Sequence, residues 1–444
     1  SIARDTTGLP IPSASVGAHS FPTRALTQRS SVSRFSLVAC FFLCFRPCAR
    51  GFCSGAPRSI LSRCVFGSFC SLGHTTPAAA RSAEVCGGMA TAAAGACPVQ
   101  APRVPDNVDR CVAKMVASVD MVSELDQSIA PGVTIFAVPP SATGFPAWSR
   151  HEDYIESEAD RDRGHADWAV PEGADNSSPR VLFCHGGGYE FYSPQDVYRP
   201  TTSRLAVATG MPVFAFDYRL VPEFRHPAQL EDAVQAFLWL AENGPQGPGK
   251  ASALFLAGDS AGGGLALALA VWLRDHPVEG AHVAGVVVVS PETDLTCGGE
   301  SYTSRRWQED GGDTCDPMFR DEDPVAASMP QIYRLLGVPG EHGSFPLTTP
   351  DLSVLHAALH DLPPTQIHVG DAEVMLSDSV EFGKKARASG SPVEVHVWPR
   401  MWHTFTQYSE GCGGDDAEPL QEAVESLKQQ ADFLKGLAAI LLAR

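Results

Sequence analysis

The strongest chemical signal in this 444-residue chain is a serine flanked by glycines, in the segment Gly258-Asp259-Ser260-Ala261-Gly262. An apolar segment that predicts a strand precedes it, and an Ala- and Leu-rich segment that predicts a helix follows it. A serine at a sharp strand-to-helix turn has its hydroxyl exposed at the start of the helix, and glycines leave room for the chain to fold back. This context favours Ser260 as a nucleophile over the alternative, an ordinary turn serine.

A run of glycines upstream gives a second signal. The predicted strand Val181–Cys184 ends directly before His185, and Gly186, Gly187 and Gly188 follow. Acyl transfer needs amide N–H groups directed at the developing oxyanion, and residues without side chains let the backbone approach that oxygen. The backbone N–H groups of the three glycines, together with that of Ala261, are therefore predicted to form an oxyanion hole.

A serine hydroxyl also needs a base to accept its proton and a carboxylate to orient that base. In a strand–turn–helix arrangement of this kind, the chain order is serine, acid, histidine. His403 follows a predicted strand that ends at Trp398, and it lies 143 residues after Ser260. His403 is therefore the candidate base.

The residues alone leave the acid open. Asp371 and Glu373 both follow the predicted strand Gln366–Val369, where an acid is required, and Asp378 comes one turn later. Asp378 is equally well explained as an acidic residue in the first turn of a helix, where the helix dipole favours negative charge.

These residues require an alternating succession of strands and helices to bring them together. Near-continuous apolar strands separated by helices predict an α/β fold with a mostly parallel sheet covered on both faces. The strands are predicted at Gly132–Val138, Val181–Cys184, Pro212–Tyr218, Ala253–Ala257, Val283–Ser290, Gln366–Val369 and Val393–Trp398. The helices are predicted at Asn107–Ile129, Thr202–Thr209, Pro227–Asn243, Ala261–Arg274, Leu376–Ser389 and Leu420–Leu442.

Two stretches interrupt this rhythm. Residues 139–180 are polar and acidic and predict a loop or a cap insertion. Residues 299–345 contain clusters of Asp, Gly and Pro with one predicted helix, Ala326–Leu336, and predict a loop-rich insertion beside the site.

Charge and cysteine divide the chain into two parts. The net charge of −18 combines +7 from residues 1–88, which hold nine arginines and two acids, with −25 from the rest. Eight of the 13 cysteines also precede residue 100. Residues 1–104 are therefore interpreted as a basic leader, which is either disordered, or a targeting segment, or not translated before Met89. Residues 105–444 are interpreted as the catalytic domain.

The predicted cellular location depends on whether the leader is translated. Translation from Met89 would give a cytoplasmic protein, whereas a real leader would direct it to an organelle or the secretory route. The apolar run Phe35–Phe45 is too short to span a bilayer comfortably, so membrane attachment is not expected. The acidic body excludes a nucleic-acid partner and favours a small molecule. No cofactor or metal is predicted, and no C-x-x-C pair suggests zinc.

Several separated motifs resemble the hormone-sensitive-lipase-like branch of the α/β-hydrolases, and the resemblance covers residues 105–443. The motifs are His185-Gly-Gly-Gly, Asp217-Tyr218-Arg219-Leu220, Pro222-Glu223, His226-Pro227-Ala228, Glu231-Asp232-Ala233, Trp239 and Gly258-Asp-Ser-Ala-Gly-Gly263. The resemblance implies a serine ester hydrolase for small to medium acyl groups, with a cap formed near residues 105–178 and 299–345.

The resemblance also bears on the acid. Glu373 lies 30 residues before His403, where this family usually has its acid, although the family more often carries Asp there. It implies Glu373 as the acid, with Asp371 as the second choice. Two alternative functions stay open: an amide, lactone or thioester hydrolase with the same residues, or a non-catalytic ligand receptor on the same fold.

Overall fold

A computed structural model describes residues 106–117, 125–138, 166–221, 224–307, 314–320, 346–413 and 418–443. All of them belong to one unit, within Ala96–Arg444. The predicted leader, its apolar run Phe35–Phe45 and the predicted helix Ala326–Leu336 lie outside the described residues. None of the helices in the described ranges combines the length and the apolar character that a membrane crossing requires.

Eight strands form the central sheet, in the order β1-β2-β4-β3-β5-β6-β7-β8. They are β1 (Val133–Val138), β2 (Ala166–Pro171), β3 (Arg180–Cys184), β4 (Val213–Phe216), β5 (Leu254–Asp259), β6 (Val283–Val289), β7 (Thr365–Gly370) and β8 (Val393–Trp398). Strand β2 is antiparallel to both of its neighbours, and all other pairs are parallel. The α/β-hydrolase fold predicted above is therefore confirmed.

Six longer helices accompany the sheet. They are α1 (Asn107–Ala117), α2 (Arg199–Thr209), α3 (Ala228–Glu242), α4 (Ser260–Asp275), α5 (Leu376–Ala388) and α6 (Gln421–Leu442). Helix α2 ends at Gly210, whose φ of 71° is the left-handed conformation that commonly closes a helix. Helices α3, α4, α5 and α6 begin and end within two residues of their predicted bounds, and α2 begins three residues early. Helix α1 begins at its predicted start, but residues 125–129, at the end of the predicted helix, are not helical.

Alternate residues of the strands point to opposite faces of the sheet, and both faces are covered. Leu182 of β3 packs in a cluster with Phe237 of α3, and Phe382 of α5 belongs to the same cluster. Phe183, its neighbour in the strand, packs in a second cluster with Leu434 of α6. Burial on both faces explains why these strands are almost wholly apolar.

Helix α1 packs against the segment that contains His403. Residues of α1, such as Val112 and Met115, form a third apolar cluster with Trp402 and Phe405. A disulfide between Cys111 and Cys412 joins the same two segments across 301 residues of sequence. Cysteine spacing did not indicate this pairing, because the two residues meet only in the fold. Trp402 is fully buried, as expected of a core aromatic.

One prediction about the insertions is wrong in part. Residues 166–171, assigned above to a loop or cap within 139–180, form β2 of the main sheet, and β1 also belongs to that sheet. Strand β2 was missed because its sequence, Ala-Asp-Trp-Ala-Val-Pro, has a charged residue in second position and ends in a proline, both of which are uncommon in strands. Asp167, that charge, is buried in an ion pair with Arg199 at 2.7 Å. The described part of 299–345 holds a one-turn helix, Ser301–Ser304, and a short parallel pair, Arg306–Trp307 with Asp316–Arg320.

Candidate active site

The carboxyl edge of the parallel strands collects every predicted site residue. Cys184 at the end of β3 pairs with Gly258 of β5, and Gly370 at the end of β7 pairs with Trp398 at the end of β8. The segments that follow these strands therefore leave the sheet at one edge, which is where open α/β sheets bind their ligands.

Ser260 is the first residue of α4 and has a φ of 54°, a strained left-handed conformation for a side chain of this size. The two flanking glycines make that turn possible. A Cβ at Gly258 would lie 2.6 Å from the carbonyl oxygen of Gly262, and a Cβ at Gly262 would overlap the carbonyl oxygen of Cys184. The glycine spacing noted in the sequence thus has a steric cause in the close approach of β3, β5 and α4.

The structure brings Ser260 and His403 into direct contact. Ser260 Oγ lies 2.9 Å from His403 Nε2, across 143 residues of sequence. Both side chains are buried. Burial lowers the pKa of His403 to about 3, so the imidazole is neutral near neutral pH and can accept a proton. The rings of Phe319 and His403 pack in an edge-to-face arrangement, with their centroids 5.3 Å apart.

Glu373 is fully buried at the same edge. Its Oε2 accepts hydrogen bonds from Ser290 Oγ at 2.7 Å and from the Gly370 N–H at 3.2 Å. Its Oε1 and the Nδ1 of His403 are both buried, and among the described residues neither atom has a hydrogen-bond partner. Burial raises the pKa of Glu373 well above its usual range.

Two shared partners link the Glu373 segment to the backbone of the His403 segment. Ser290 Oγ, which donates to Glu373, accepts the N–H of Thr404 at 3.0 Å. Asp316 Oδ2 accepts the N–H of His403 and the N–H of the residue after Glu373, both at 3.3 Å. These bridges position the acid and the base independently of any direct contact between them.

Asp371, the second-choice acid, has a different partner. Its Oδ1 accepts the backbone N–H of Arg400 at 2.6 Å, and Arg400 extends its guanidinium to Asp106 and Asp109 at the start of α1. Asp371 therefore secures the turn that leads from β8 to His403. The hydrogen bonds of the described residues include none between Asp371 and the His403 ring.

The glycine run requires a correction for Gly186. Its N–H donates to Tyr198 Oη at 2.8 Å and to Asp259 Oδ1 at 3.1 Å, so it is already engaged within the protein. Burial raises the pKa of Asp259 to about 7. Sequence position alone could not show that this amide has internal acceptors. Gly186 thus fastens the loop to β5 instead of facing the site.

The other predicted amides remain suited to binding an oxyanion. Gly187 and Gly188 have φ values of 115° and 62°, which glycine adopts without strain. No hydrogen bond from either N–H occurs among the described residues. The N–H of Ala261 lies in the first turn of α4, where no helical acceptor exists for it.

Sequence reasoning missed two residues that follow β6. Ser290 bridges Glu373 and Thr404, as described above, and Glu292 Oε1 lies 3.3 Å from Ser260 Oγ. The available signal was their position at the carboxyl end of the predicted strand Val283–Ser290, since Ser290 is its last residue and Glu292 follows two residues later at the same edge of the sheet. In the described ranges, no group of three or more His, Cys, Asp or Glu side chains is arranged to hold a metal ion.

Comparison with known proteins agrees with this fold. A family model described as the alpha/beta hydrolase fold matches residues 181–407. An acetyl-hydrolase of Streptomyces hygroscopicus is 38% identical over 55% of this chain and 74% of its own length. The carboxylesterase/phospholipase LipF of Mycobacterium tuberculosis is 32% identical over 60% of this chain, which spans 64% of LipF. A crystal structure of an esterase from the bacterial hormone-sensitive lipase family matches with a TM-score of 0.56 and 27% identity, covering 75% of this chain and 98% of that one.

The fold, the serine turn and these matches place the chain in the α/β-hydrolase family. Within that family it belongs to the hormone-sensitive-lipase-like esterases, and it is a carboxylic ester hydrolase. The alternative of a non-catalytic receptor is therefore set aside.

Proposed function

We propose that the protein cleaves carboxylic esters through a covalent acyl-enzyme formed on Ser260, with His403 as base and Glu373 as the acid that orients His403. The observation that carries this proposal is the 2.9 Å contact between Ser260 Oγ and His403 Nε2. A serine within hydrogen-bond reach of a neutral imidazole is the arrangement that activates a hydroxyl as a nucleophile.

In the first half of the reaction, Ser260 Oγ attacks the ester carbonyl carbon while its proton passes to His403 Nε2. The carbonyl oxygen becomes an oxyanion, which accepts hydrogen bonds from the N–H groups of Gly187, Gly188 and Ala261. The tetrahedral intermediate then expels the alcohol, which takes the proton from His403 and leaves an acyl group on Ser260.

In the second half, a water molecule replaces the alcohol. His403 Nε2 removes a proton from the water, the resulting hydroxide attacks the acyl carbon, and the proton returns to Ser260 Oγ as the carboxylic acid leaves. No group beyond these side chains and amides is required for the cycle to close.

Glu373 has the role of holding the imidazole in one tautomer. His403 Nε2 can accept the serine proton only when Nδ1 carries the ring hydrogen, and Nδ1 then needs an acceptor. Glu373 Oε1 is a buried oxygen without another hydrogen-bond partner among the described residues, so it supplies that acceptor once the carboxyl group is ionised. The ionised Glu373 carboxylate then stabilises the positive charge that develops on His403 when Nε2 takes the serine proton.

The substrates are neutral small molecules with small to medium acyl groups. Support comes from the relatives, one of which is called an acetyl-hydrolase and another a carboxylesterase. The net charge of −18 also disfavours polyanionic partners such as nucleic acid.

Ester turnover and covalent labelling test the proposal together. Wild-type protein should hydrolyse p-nitrophenyl acetate and gain the mass of one fluorophosphonate probe on the peptide that contains Ser260. Ser260→Ala should lose both, and His403→Gln should lower kcat by at least about a thousandfold while remaining folded. Unchanged ester hydrolysis by Ser260→Ala would overturn the proposal. Anilide, lactone and thioester analogues show whether esters are the preferred class.

A further inference from the structure

The insertion at residues 299–345 is bonded to the segments that carry the proposed acid and base. Asp316 is the first residue of a short strand in this insertion, and its side chain is fully buried. Its Oδ2 accepts the backbone N–H groups of His403 and Val374, both at 3.3 Å. Val374 directly follows Glu373 in the chain. One oxygen of the insertion is therefore shared between the backbone of the base and that of the residue after the acid.

A second part of the insertion holds the same acid segment. Ser301 Oγ donates to the Val374 carbonyl oxygen at 2.5 Å and accepts the N–H of Ser377 at 2.9 Å. Both backbone polar groups of Val374 are thus bound by side chains of the insertion. Val374 and Ser301 are buried, and a buried hydrogen bond is costly to break because its loss leaves an unpaired polar atom. The insertion therefore fixes the place of the acid segment.

The strand that begins at Asp316 also packs against the base segment. The Phe319 ring lies edge-to-face with the His403 imidazole, and Met318 packs in the apolar cluster of Trp402, which directly precedes His403. Asp316 Oδ1 accepts the N–H of Met318 at 3.1 Å, a local turn in which an aspartate bonds the backbone two residues on. The two oxygens of Asp316 thus have different tasks, since one shapes its own strand and the other joins the acid and base segments.

We infer that Asp316 is a positioning residue for the reaction, which sets the spacing between Glu373 and His403 through its bonds to Val374 and His403. This inference rests on the proposed function, because it takes Glu373 as the acid and His403 as the base. Glu373 Oε1 and His403 Nδ1 have no hydrogen-bond partner among the described residues, so their separation depends on how the two backbones are held. A misplacement of about 1 Å can cost about a hundredfold in rate. Ser290 supplies the other bridge, so the loss without Asp316 should be partial.

The inference does not depend on the charge of Asp316. A carboxyl group keeps acceptor oxygens in both of its protonation states, and an amide keeps one. The bridge to Val374 and His403 needs a single acceptor oxygen at the position of Oδ2. An isosteric amide can therefore replace the carboxyl group, whereas a shorter side chain cannot.

Asp316→Ser and Asp316→Asn separate the bridge from the local turn. The serine hydroxyl can still accept the N–H of Met318 but is too short to reach Val374 and His403. With p-nitrophenyl acetate, Asp316→Ser should lower kcat by about 10–100-fold. It should leave KM within about threefold, because His403 is the base in both halves of the reaction and both should slow together. Asp316→Asn, whose amide oxygen can accept both bridging N–H groups, should keep kcat within about threefold of wild type.

Asp232→Ala is the matched control for a general loss of stability. Asp232 is also a fully buried carboxylate that accepts a backbone N–H, but its hydrogen bonds among the described residues go to Arg219 alone. It should lose stability and keep kcat within about threefold of wild type. Urea unfolding shows whether each variant is folded at the assay temperature. Asp316→Thr, which offers the same hydroxyl with an added methyl group, replaces the serine variant if that variant is unfolded, and the same loss is expected of it.

Four results would sink the inference while the proposed function stands, provided that Ser260 still accepts the fluorophosphonate probe. The first is a folded Asp316→Ser with the kcat of the wild type, and the second is a loss that appears in KM alone. The third is an Asp316→Asn as slow as Asp316→Ser, which would make the charge responsible, and the fourth is an equal loss of kcat in Asp232→Ala. If the wild type neither cleaves the ester nor labels Ser260, the proposed function fails and the inference fails with it.

Discussion

Asp371 Oδ1 accepts the backbone N–H of Arg400 at 2.6 Å. This bond fixes the carboxylate on the turn that precedes His403, and the Arg400 side chain continues the connection to Asp109 of α1 and to Asp106, which directly precedes that helix. Two carboxylates that follow the same strand therefore have separate partners: Asp371 holds the backbone of the base segment, and Glu373 lies buried within the site.

A pair of isosteric variants distinguishes Glu373 from Asp371 as the acid that orients His403. Glu373→Gln should lower kcat by about 10²–10⁴-fold, because an amide that donates to Nδ1 stabilises the wrong imidazole tautomer. Asp371→Asn should cost less than about tenfold, since its amide oxygen can still accept the Arg400 N–H. Steady-state kinetics on p-nitrophenyl acetate measures both. The reverse ranking would assign the acid to Asp371.

The Cys111–Cys412 disulfide should contribute to global stability. Removing it with Cys111→Ser and Cys412→Ser together should lower the free energy of unfolding by about 2–4 kcal/mol, because the unfolded chain loses a long-range constraint. Urea unfolding monitored by tryptophan fluorescence measures the loss. Cys297→Ser, which removes a thiol outside any disulfide, is the control and should change stability by less than about 1 kcal/mol. Equal effects in both variants would argue against a stabilising role for the bond.

The nucleophile turn should not tolerate a methyl group at Gly262. Gly262→Ala places its Cβ against the carbonyl oxygens of Cys184 and His185, so the free energy of unfolding should fall by more than about 2 kcal/mol. Gly436→Ala, in the exposed middle of α6 with no atom within 4 Å of the new Cβ, should instead stabilise by up to about 1 kcal/mol. Thermal and urea unfolding compare the two. A neutral Gly262→Ala would contradict the close packing of β3 against α4.

A buried carboxyl on α5 should make stability depend on pH. Burial raises the pKa of Asp378 from 3.8 to about 8, although its Oδ2 accepts N–H bonds from Thr293 and Asp294. Between these two values the folded state keeps a proton that the unfolded state has lost. The associated stability is thus present at low pH and disappears as pH rises through this window, by up to about 1.4 kcal/mol per pH unit.

Asp378→Asn should remove that dependence, because its amide oxygen can accept both N–H bonds without titrating. Urea unfolding at about pH 5 and about pH 7.5 should show a smaller decrease in stability for the variant than for the wild type. Asp432→Asn, on the exposed face of α6, should follow the wild type. A variant whose stability falls as steeply as that of the wild type would show that Asp378 is ionised throughout.

Local sequence patterns were sufficient to predict a residue's role where that role follows from the residue's position relative to a strand or a turn. The apolar strands, the turn around Ser260 and the position of His403 after β8 were all readable, because glycine spacing and strand–helix alternation are local properties. Strand β2 was missed because its main signal is pairing with β1 and β4, which are distant in sequence. Sheet pairing of this kind overrides weak local propensity.

By itself, the sequence determined the family, the order of the strands along the chain and the candidates for nucleophile and base. Only the tertiary structure decided which partners they meet. It brought Ser260 to His403, directed Asp371 to Arg400, engaged the Gly186 amide with Asp259 and placed Glu292 beside the nucleophile. The physical reason is that hydrogen bonds form over a few ångströms between residues that can lie far apart in the chain, 294 positions in the case of Asp106 and Arg400, and no local pattern records where a carboxylate will find its donor.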